Sequence, residues 1–314
     1  MIAVYIIAGL AALWTVFLGA PSLVMYHQIF RRRAPGEPTA ENLAPSGIAA
    51  HTERILENAE RMKSRERTAV KATAADGVVL CGDFYDAGAD RTVIFFHGYN
   101  TNPMKNFALH ANLFLDRGYN ALVVRQRAVL DSGGKHNGMG LIERYDVPVW
   151  IARARELSPG CSIILYGMSM GASTVAYASG DLDPAVVSAM VLDCGFTSPI
   201  DQLTSDCERR HLPKRTLLFL ISLFARMLLG IDLRESVREP LSRTKIPAFF
   251  MHGDADLTVP VGQGRANFAA CASEKEMIEL PGASHTEVLL AGGDEAVSRL
   301  FEFLEKHGRD DRNL

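Results

Sequence analysis

The chain has little cysteine, and what it has is scattered. Cys81, Cys161, Cys194, Cys207 and Cys271 are odd in number and include no Cys-x-x-Cys pair. Such a set argues against a disulfide framework and against a structural zinc site. Excess charge is missing as well: 33 Lys and Arg against 36 Asp and Glu leave a formal net charge of −3. That removes the general electrostatic case for nucleic acid as a partner. No internal repeat or low-complexity tract is present. What remains is a chain of 314 residues, 48% hydrophobic, with room for one α/β domain plus an appendage and for a large core without disulfides.

Charge is absent altogether from residues 1–26, and 2–18 is almost wholly apolar. A run of that length can cross a bilayer as a helix. A cleaved signal peptide would need a basic start and a small-x-small site, but this start has no Lys or Arg, and Pro21 follows the best candidate, Leu18-Gly19-Ala20. The expectation is an uncleaved single-pass membrane anchor over 1–26, with the lipid bilayer as a partner. Arg31-Arg32-Arg33 follows the apolar run, and the positive-inside rule then puts the folded domain on the cytoplasmic side. Residues 34–47, rich in Pro, Gly and Ala, read as a linker. In 52–67, Ile55, Ala59 and Met62 stand at helical spacing and predict a short amphipathic helix packed on the domain. The division is thus 1–26 anchor, 27–66 linker and helix, and 67–314 the main domain.

The pentapeptide Gly167-Met168-Ser169-Met170-Gly171 carries most information. It follows the apolar run Ser162-Ile163-Ile164-Leu165-Tyr166 and precedes a small-residue stretch. A Gly-x-Ser-x-Gly between strand and helix is a nucleophile elbow, in which a tight turn lifts the serine hydroxyl clear of the sheet. Alone, the same residues also fit a glycine-rich turn whose serine caps a helix. Three further apolar runs end in candidate partners: His97-Gly98-Tyr99-Asn100, then His252-Gly253-Asp254-Ala255-Asp256, then Gly282-Ala283-Ser284-His285. Serine, acid and histidine come in the order Ser169, Asp256, His285, each just past a strand, which is the α/β-hydrolase order.

On these motifs, from about Arg67 to His307, the chain resembles the α/β-hydrolases, close to the bacterial serine aminopeptidase-like and prolyl-oligopeptidase-like group. The likeness takes in Asp76-Gly77, Gly138-Met139-Gly140 ahead of Glu143 and Asp146, and Asp193-Cys194-Gly195-Phe196-Thr197-Ser198. Such proteins usually carry Arg-Ala-His-Gly-x-Ser after the fourth strand, whereas here stands Arg127-Ala128-Val129-Leu130-Asp131-Ser132. The departure bears on loop shape and substrate preference rather than on the reaction.

Strands are expected near 68–74, 78–85, 92–96, 121–126, 162–166, 187–192, 246–251 and 275–280, with helices over 104–117, 141–157, 170–179, 261–271 and 294–306. An opening hairpin followed by strand–helix alternation predicts a mostly parallel eight-stranded sheet flanked by helices, and the resemblance implies that it is the α/β-hydrolase fold. About fifty residues separate the sixth and seventh strands, more than a crossover needs. Within them 217–229 is apolar almost all round and too short to span a membrane. It reads either as a plain crossover helix or as a helical lid, the insertion being 198–244, with Phe219 and Phe224 as substrate-binding residues.

The chemistry then assigns His285 as the base for Ser169 and a carboxylate behind the imidazole. Backbone N–H groups of Tyr99 and Met170 form the oxyanion hole. The resemblance favours Asp256 as the acid; Asp254 shares its loop, and Asp193 ends the sixth strand, where some α/β-hydrolases place the acid. His97 and His252 read as residues that shape loops, and Glu143 and Asp146 as salt-bridge partners of Arg125 or Arg127. No metal or cofactor is needed. The expected activity is that of a membrane-anchored serine hydrolase acting on a small-molecule ester, thioester or amide. An acyltransferase with the same triad and a non-catalytic binding protein on this scaffold are the alternatives.

Overall fold

The computed structural model describes residues 1, 5, 19–44 and 47–308. Eight strands form one sheet: β1 (Thr68–Thr73), β2 (Val79–Tyr85), β3 (Arg91–Phe96), β4 (Asn120–Arg125), β5 (Ser162–Met168), β6 (Val187–Asp193), β7 (Ala248–Gly253) and β8 (Lys275–Leu280). Their spatial order is β1-β2-β4-β3-β5-β6-β7-β8. The pairs β1–β2 and β2–β4 are antiparallel, and every other pairing is parallel. Parallel strands are covered on both faces, which is why they read as continuous apolar runs.

Helices α1 (Ala20–Phe30), α2 (Thr52–Ser64), α3 (Pro103–Leu115), α4 (Val147–Leu157), α5 (Met170–Ala178), α6 (Pro199–Arg209), α7 (Lys214–Leu229), α8 (Arg238–Arg243), α9 (Val261–Ala270) and α10 (Gly293–His307) flank the sheet. Side chains alternate across it with the two-residue period of a strand. Ile94, Phe96, Leu122, Ile163 and Leu165 face one core with Phe30, Trp150, Val175 and Ile221. Val93, Phe95, Val123, Ile164 and Tyr166 face the other with Met62, Phe107, Phe114 and Leu300. In the second core the Phe95 ring lies 5.0 Å from Phe107, 5.6 Å from Phe114 and 5.5 Å from Tyr166. Each such pair adds roughly 0.5–1.5 kcal/mol beyond area burial.

Prolines account for several displaced boundaries. The helix expected over 141–157 begins only at Val147, after a 3₁₀ turn at Glu143–Asp146. Pro148 has no N–H to donate and sits in the first turn, where none is needed. The seventh strand starts at Ala248 rather than at 246, because Pro247 cannot donate to the ladder. The amphipathic reading of α2 holds: Ile55, Ala59 and Met62 are its buried residues. It packs on α3, with Asn112 Nδ2 donating to the Asn58 carbonyl at 3.0 Å.

The N-terminal anchor requires correction. Among the described residues no helix is long and apolar enough to cross a membrane. Residues 2–4 and 6–18 of the expected span lie outside the described residues. The rest of it, from Ala20 onward, belongs to α1, an 11-residue helix that buries Tyr26 and Phe30 in the first core and packs along α7. The arginines read as a cytoplasmic flank are spent on the protein itself. Arg31 and Arg33 form β-bridges to His136 and Val129. The Arg32 guanidinium donates to the carbonyls of Ser132 at 2.5 Å and Gly134 at 3.1 Å, and to that of Leu130. The single-pass membrane location, the cytoplasmic assignment that depended on it, and a bilayer held through an N-terminal helix all fall with the anchor.

The segment between β6 and β7 contains α6, α7 and α8. The apolar surface that runs almost all round α7 is only partly covered. The helix buries only Leu218, Leu220, Ile221 and Ala225, while Phe219, Met227 and Leu228 are exposed.

Candidate active site

The turn from β5 into α5 holds Ser169 at φ 55° and ψ −119°. A side-chain residue at positive φ is uncommon and costs of order 1–3 kcal/mol, so the surroundings must enforce it. They do so by close approach. A Cβ at Gly167 would lie 2.3 Å from the Gly171 carbonyl oxygen, and one at Gly171 would lie 1.8 Å from that of Phe96. Neither position admits a larger residue without backbone displacement. The Ser169 N–H donates to the Asp193 carbonyl at 2.7 Å, tying the turn to the end of β6.

Ser169, His285 and Asp256 stand in one hydrogen-bonded line. His285 Nε2 is 3.0 Å from Ser169 Oγ, and Nδ1 is 2.6 Å from Asp256 Oδ2. The Asp256 side chain is fully buried. Its other oxygen accepts from the N–H groups of Thr258 at 2.7 Å and Val259 at 2.9 Å. Burial alone would raise this carboxyl, but hydrogen bonds from His252 and His285 outweigh it and hold the group well below the usual carboxylate range. A carboxylate kept ionised behind Nδ1 leaves Nε2 as the lone pair facing the serine.

The rival acids have other employment. Asp193 is fully buried at the end of β6, with Oδ1 unpartnered and Oδ2 3.4 Å from the Tyr166 hydroxyl. Burial pushes its carboxyl up to about 6. Asp254 Oδ1 accepts the Gly282 N–H at 2.6 Å and thereby ties the acid loop to the histidine loop. His97 Nδ1 bonds the Gly98 carbonyl at 2.7 Å while Nε2 accepts the Gln126 N–H at 3.0 Å. Burial lowers this histidine to about 4, which keeps it neutral. His252 donates to the Val259 carbonyl at 2.8 Å and also lies 3.4 Å from Asp256 Oδ2, so it supports the acid as well as shaping its loop. The expected arginine pairing holds for Asp146, which takes a bidentate bond from Arg127 at 2.8 and 2.6 Å. It does not hold for Glu143, whose carboxylate accepts the N–H groups of Gly138 and Gly140, both at 2.8 Å.

The loop carrying Tyr99 passes directly over the nucleophile. A Cβ at Gly98 would sit 3.4 Å from the Ser169 Cβ. Met170 opens α5, so its N–H has no carbonyl one turn back within the helix. Met170 thus directly follows the serine in the chain, and Gly98, the residue before Tyr99, lies against it. Burial pushes the Tyr99 hydroxyl up to about 12, and it donates to the Ile29 carbonyl at 2.6 Å. Phe219 and Phe224 are placed differently. Phe219 is 65% exposed, and the Phe224 ring packs on Tyr26 at 6.1 Å in a T-shaped arrangement.

Three contributors escaped the sequence reading. Glu287 accepts the Ser284 N–H at 2.6 Å and pairs with His51 at 2.8 Å, bracing the loop that carries His285. Gln126 donates to the His97 carbonyl at 2.5 Å and fixes the root of the Tyr99 loop. Cys194 places Sγ 4.0 Å from His285 Nε2. With Asp256 and His285 it brings ligand atoms within 4.8 Å of one another. A cation there would compete for His285, whose two nitrogens already face Asp256 and Ser169. Glu287 and Gln126 sit in no recognisable motif, and Cys194, though part of the stretch Asp193–Ser198, carries no role in that pattern.

No protein-family model matches the chain. Among curated proteins it is 28% identical over 212 residues to the uncharacterized protein YqkD of Bacillus subtilis, covering 66% of this chain and 68% of that one. Among solved structures, the Pyrococcus furiosus esterase Pf2001 matches with a TM-score of 0.66 at 22% identity, over 89% of this chain and all of that one. The Pyrococcus horikoshii acylaminoacyl peptidase matches with a TM-score of 0.58 at 16% identity, over 82% of this chain and 44% of the peptidase. The architecture shared with these structures is the α/β-hydrolase fold.

Proposed function

We propose that the protein is a serine hydrolase that cleaves a carboxylic ester, thioester or amide through an acyl-enzyme at Ser169. The observation that carries this reading is the unbroken line from Asp256 through His285 to Ser169, at 2.6 and 3.0 Å, on a strained elbow. In this mechanism Ser169 Oγ attacks the acyl carbon as His285 Nε2 takes its proton. The negative oxygen of the tetrahedral intermediate is held by the N–H groups of Met170 and Tyr99. His285 then gives the proton to the departing alcohol, thiol or amine. Water enters, loses a proton to His285 and attacks the acyl-enzyme; collapse releases the acid and returns the proton to Ser169. An esterase and an acylaminoacyl peptidase among the structural neighbours support acyl chemistry on small-molecule substrates.

A fluorophosphonate probe tests the nucleophile directly. The native protein should take up one equivalent, and the mass increment should map to the peptide containing Ser169. Native protein that resists the probe and hydrolyses no ester, thioester or aminoacyl amide would overturn the reading.

Within this reading α7 covers the acyl side of the site, with Phe224 on its inner flank and Phe219 toward its outer surface. Apolar contact is worth roughly 25 cal/mol per Å² buried, so Phe224→Ser should raise KM for long-chain esters more than for acetate esters. The smaller effect is expected from Phe219→Ser, given its exposure. Equal rises for both chain lengths would leave α7 as a packing helix only.

A further inference from the structure

The Tyr99 loop is held from two sides. On the sheet side, Gly98 N–H donates to Asn106 Oδ1 at 2.8 Å, and Gln126 brackets His97 through its backbone N–H and its side-chain amide. On the outer side the Tyr99 hydroxyl donates to the Ile29 carbonyl at 2.6 Å and also lies 3.4 Å from that of Gln28, both at the end of α1. The Ile29 carbonyl is itself fixed. Asn137 Nδ2 donates to it at 3.1 Å, and Asn137 N–H donates to the next carbonyl, that of Phe30, at 2.9 Å. Immediately beyond, Arg31 and Arg33 bridge to His136 and Val129, and Arg32 gathers the carbonyls of Leu130, Ser132 and Gly134. The docking edge is thus the loop after β4, where Val129-Leu130 stands in place of the usual His-Gly. Upstream, Tyr26 packs on Phe224 of α7.

An oxyanion donor acts through preorganisation, because the N–H must already point to where charge will develop. A phenol anchored to a rigid carbonyl restricts the peptide at its own residue. We propose that residues 20–33 form a built-in strap that positions the Tyr99 oxyanion donor through the Tyr99–Ile29 hydrogen bond. The proposal rests on the oxyanion role given to Tyr99 above. Tyr99 Oη acts here as a positioning group and touches no reacting atom. Through Tyr26 and Phe224 the same strap couples that donor to the lid helix.

A double-mutant cycle on turnover tests the strap in the full-length chain. Tyr99→Phe keeps the ring and deletes the anchoring hydroxyl; Arg32→Ala frees the strap from the loop after β4. Each should lower kcat about tenfold with KM within twofold, the pattern of an interaction felt in the transition state alone. Two substitutions that break one linkage are not additive, so the double variant should lose no more than the worse single. If Arg32→Ala fails to fold, Asn137→Ala replaces it in the cycle. A full kcat in Tyr99→Phe, losses that multiply, or parallel falls in kcat and Tm with a raised KM would overturn the strap. Ser169→Ala separates the two levels. Should it retain turnover, the hydrolase reading itself fails; should it be inactive while Tyr99→Phe is unaffected, only the strap does.

Discussion

Replacing Ser169 with alanine is expected to lower kcat for ester turnover by about 10⁴–10⁶-fold, since the members of a triad act as a unit. Residual catalysis from the oxyanion hole and binding sets the floor. The fold should survive, because alanine tolerates φ 55° no worse than serine does. Glycine at the same position removes the steric cost of that conformation. Ser169→Gly should therefore be equally inactive yet more stable, by about 1 kcal/mol. Steady-state rates together with thermal melts of the three proteins check both halves. An active alanine variant would remove Ser169 from the mechanism, and a destabilised glycine variant would mean that the elbow is not strained.

The second large effect concerns the acid. Asp256→Asn should lower kcat by about 10⁴-fold, because an amide behind Nδ1 favours the tautomer whose Nε2 carries hydrogen and cannot accept from serine. Asp193→Asn should leave turnover within a few-fold. Its signature lies in stability instead. Asp193 has its carboxyl raised from 3.8 to about 6 by burial. Between those values the folded state binds more protons than the unfolded chain, so stability falls as pH rises through the window and then levels off. The asparagine variant lacks that loss. Its Tm should exceed the wild type above about pH 6, with the advantage vanishing below about pH 4. Asp256 runs the other way. Its carboxyl is lowered in the folded protein, so the stability it contributes is present above the unfolded value and disappears as pH falls. A 10⁴-fold loss in Asp193→Asn, with Asp256→Asn active, would transfer the acid role.

How much of this was legible in the chain follows from what each part depends on. Strands buried on both faces need apolar residues at every position, and so Arg91–Phe96 or Ser162–Met168 announce themselves. Their spatial order does not, because pairing depends on contacts between distant segments. The elbow is legible since Gly167 and Gly171 are demanded by clashes within a few residues. Asp256 and Asp193 look alike in sequence, each ending an apolar run. Only the turn of the loop brings Asp256 to 2.6 Å from His285. The N-terminal segment misled for a definable reason. An uncharged apolar stretch followed by Arg31-Arg32-Arg33 fits a membrane flank, and it equally fits a helix that buries Tyr26 and Phe30 and then hands the Arg32 guanidinium to carbonyls 98 to 102 positions away.

That separation has a consequence for biosynthesis. Ribosomes add roughly 5–20 residues per second, so the arginine clasp emerges some 5–20 s before the backbone that will receive it. Over that interval Tyr26, Ile29 and Phe30 face water or a chaperone, and β3 and β4, which form one wall of their core, are still being made. Closing so large a loop costs only a little more entropy than closing one of half the length, which makes the delay a matter of rate rather than of equilibrium. Refolding from denaturant should accordingly show the sheet forming first and the N-terminal clasp docking as a late, separable phase.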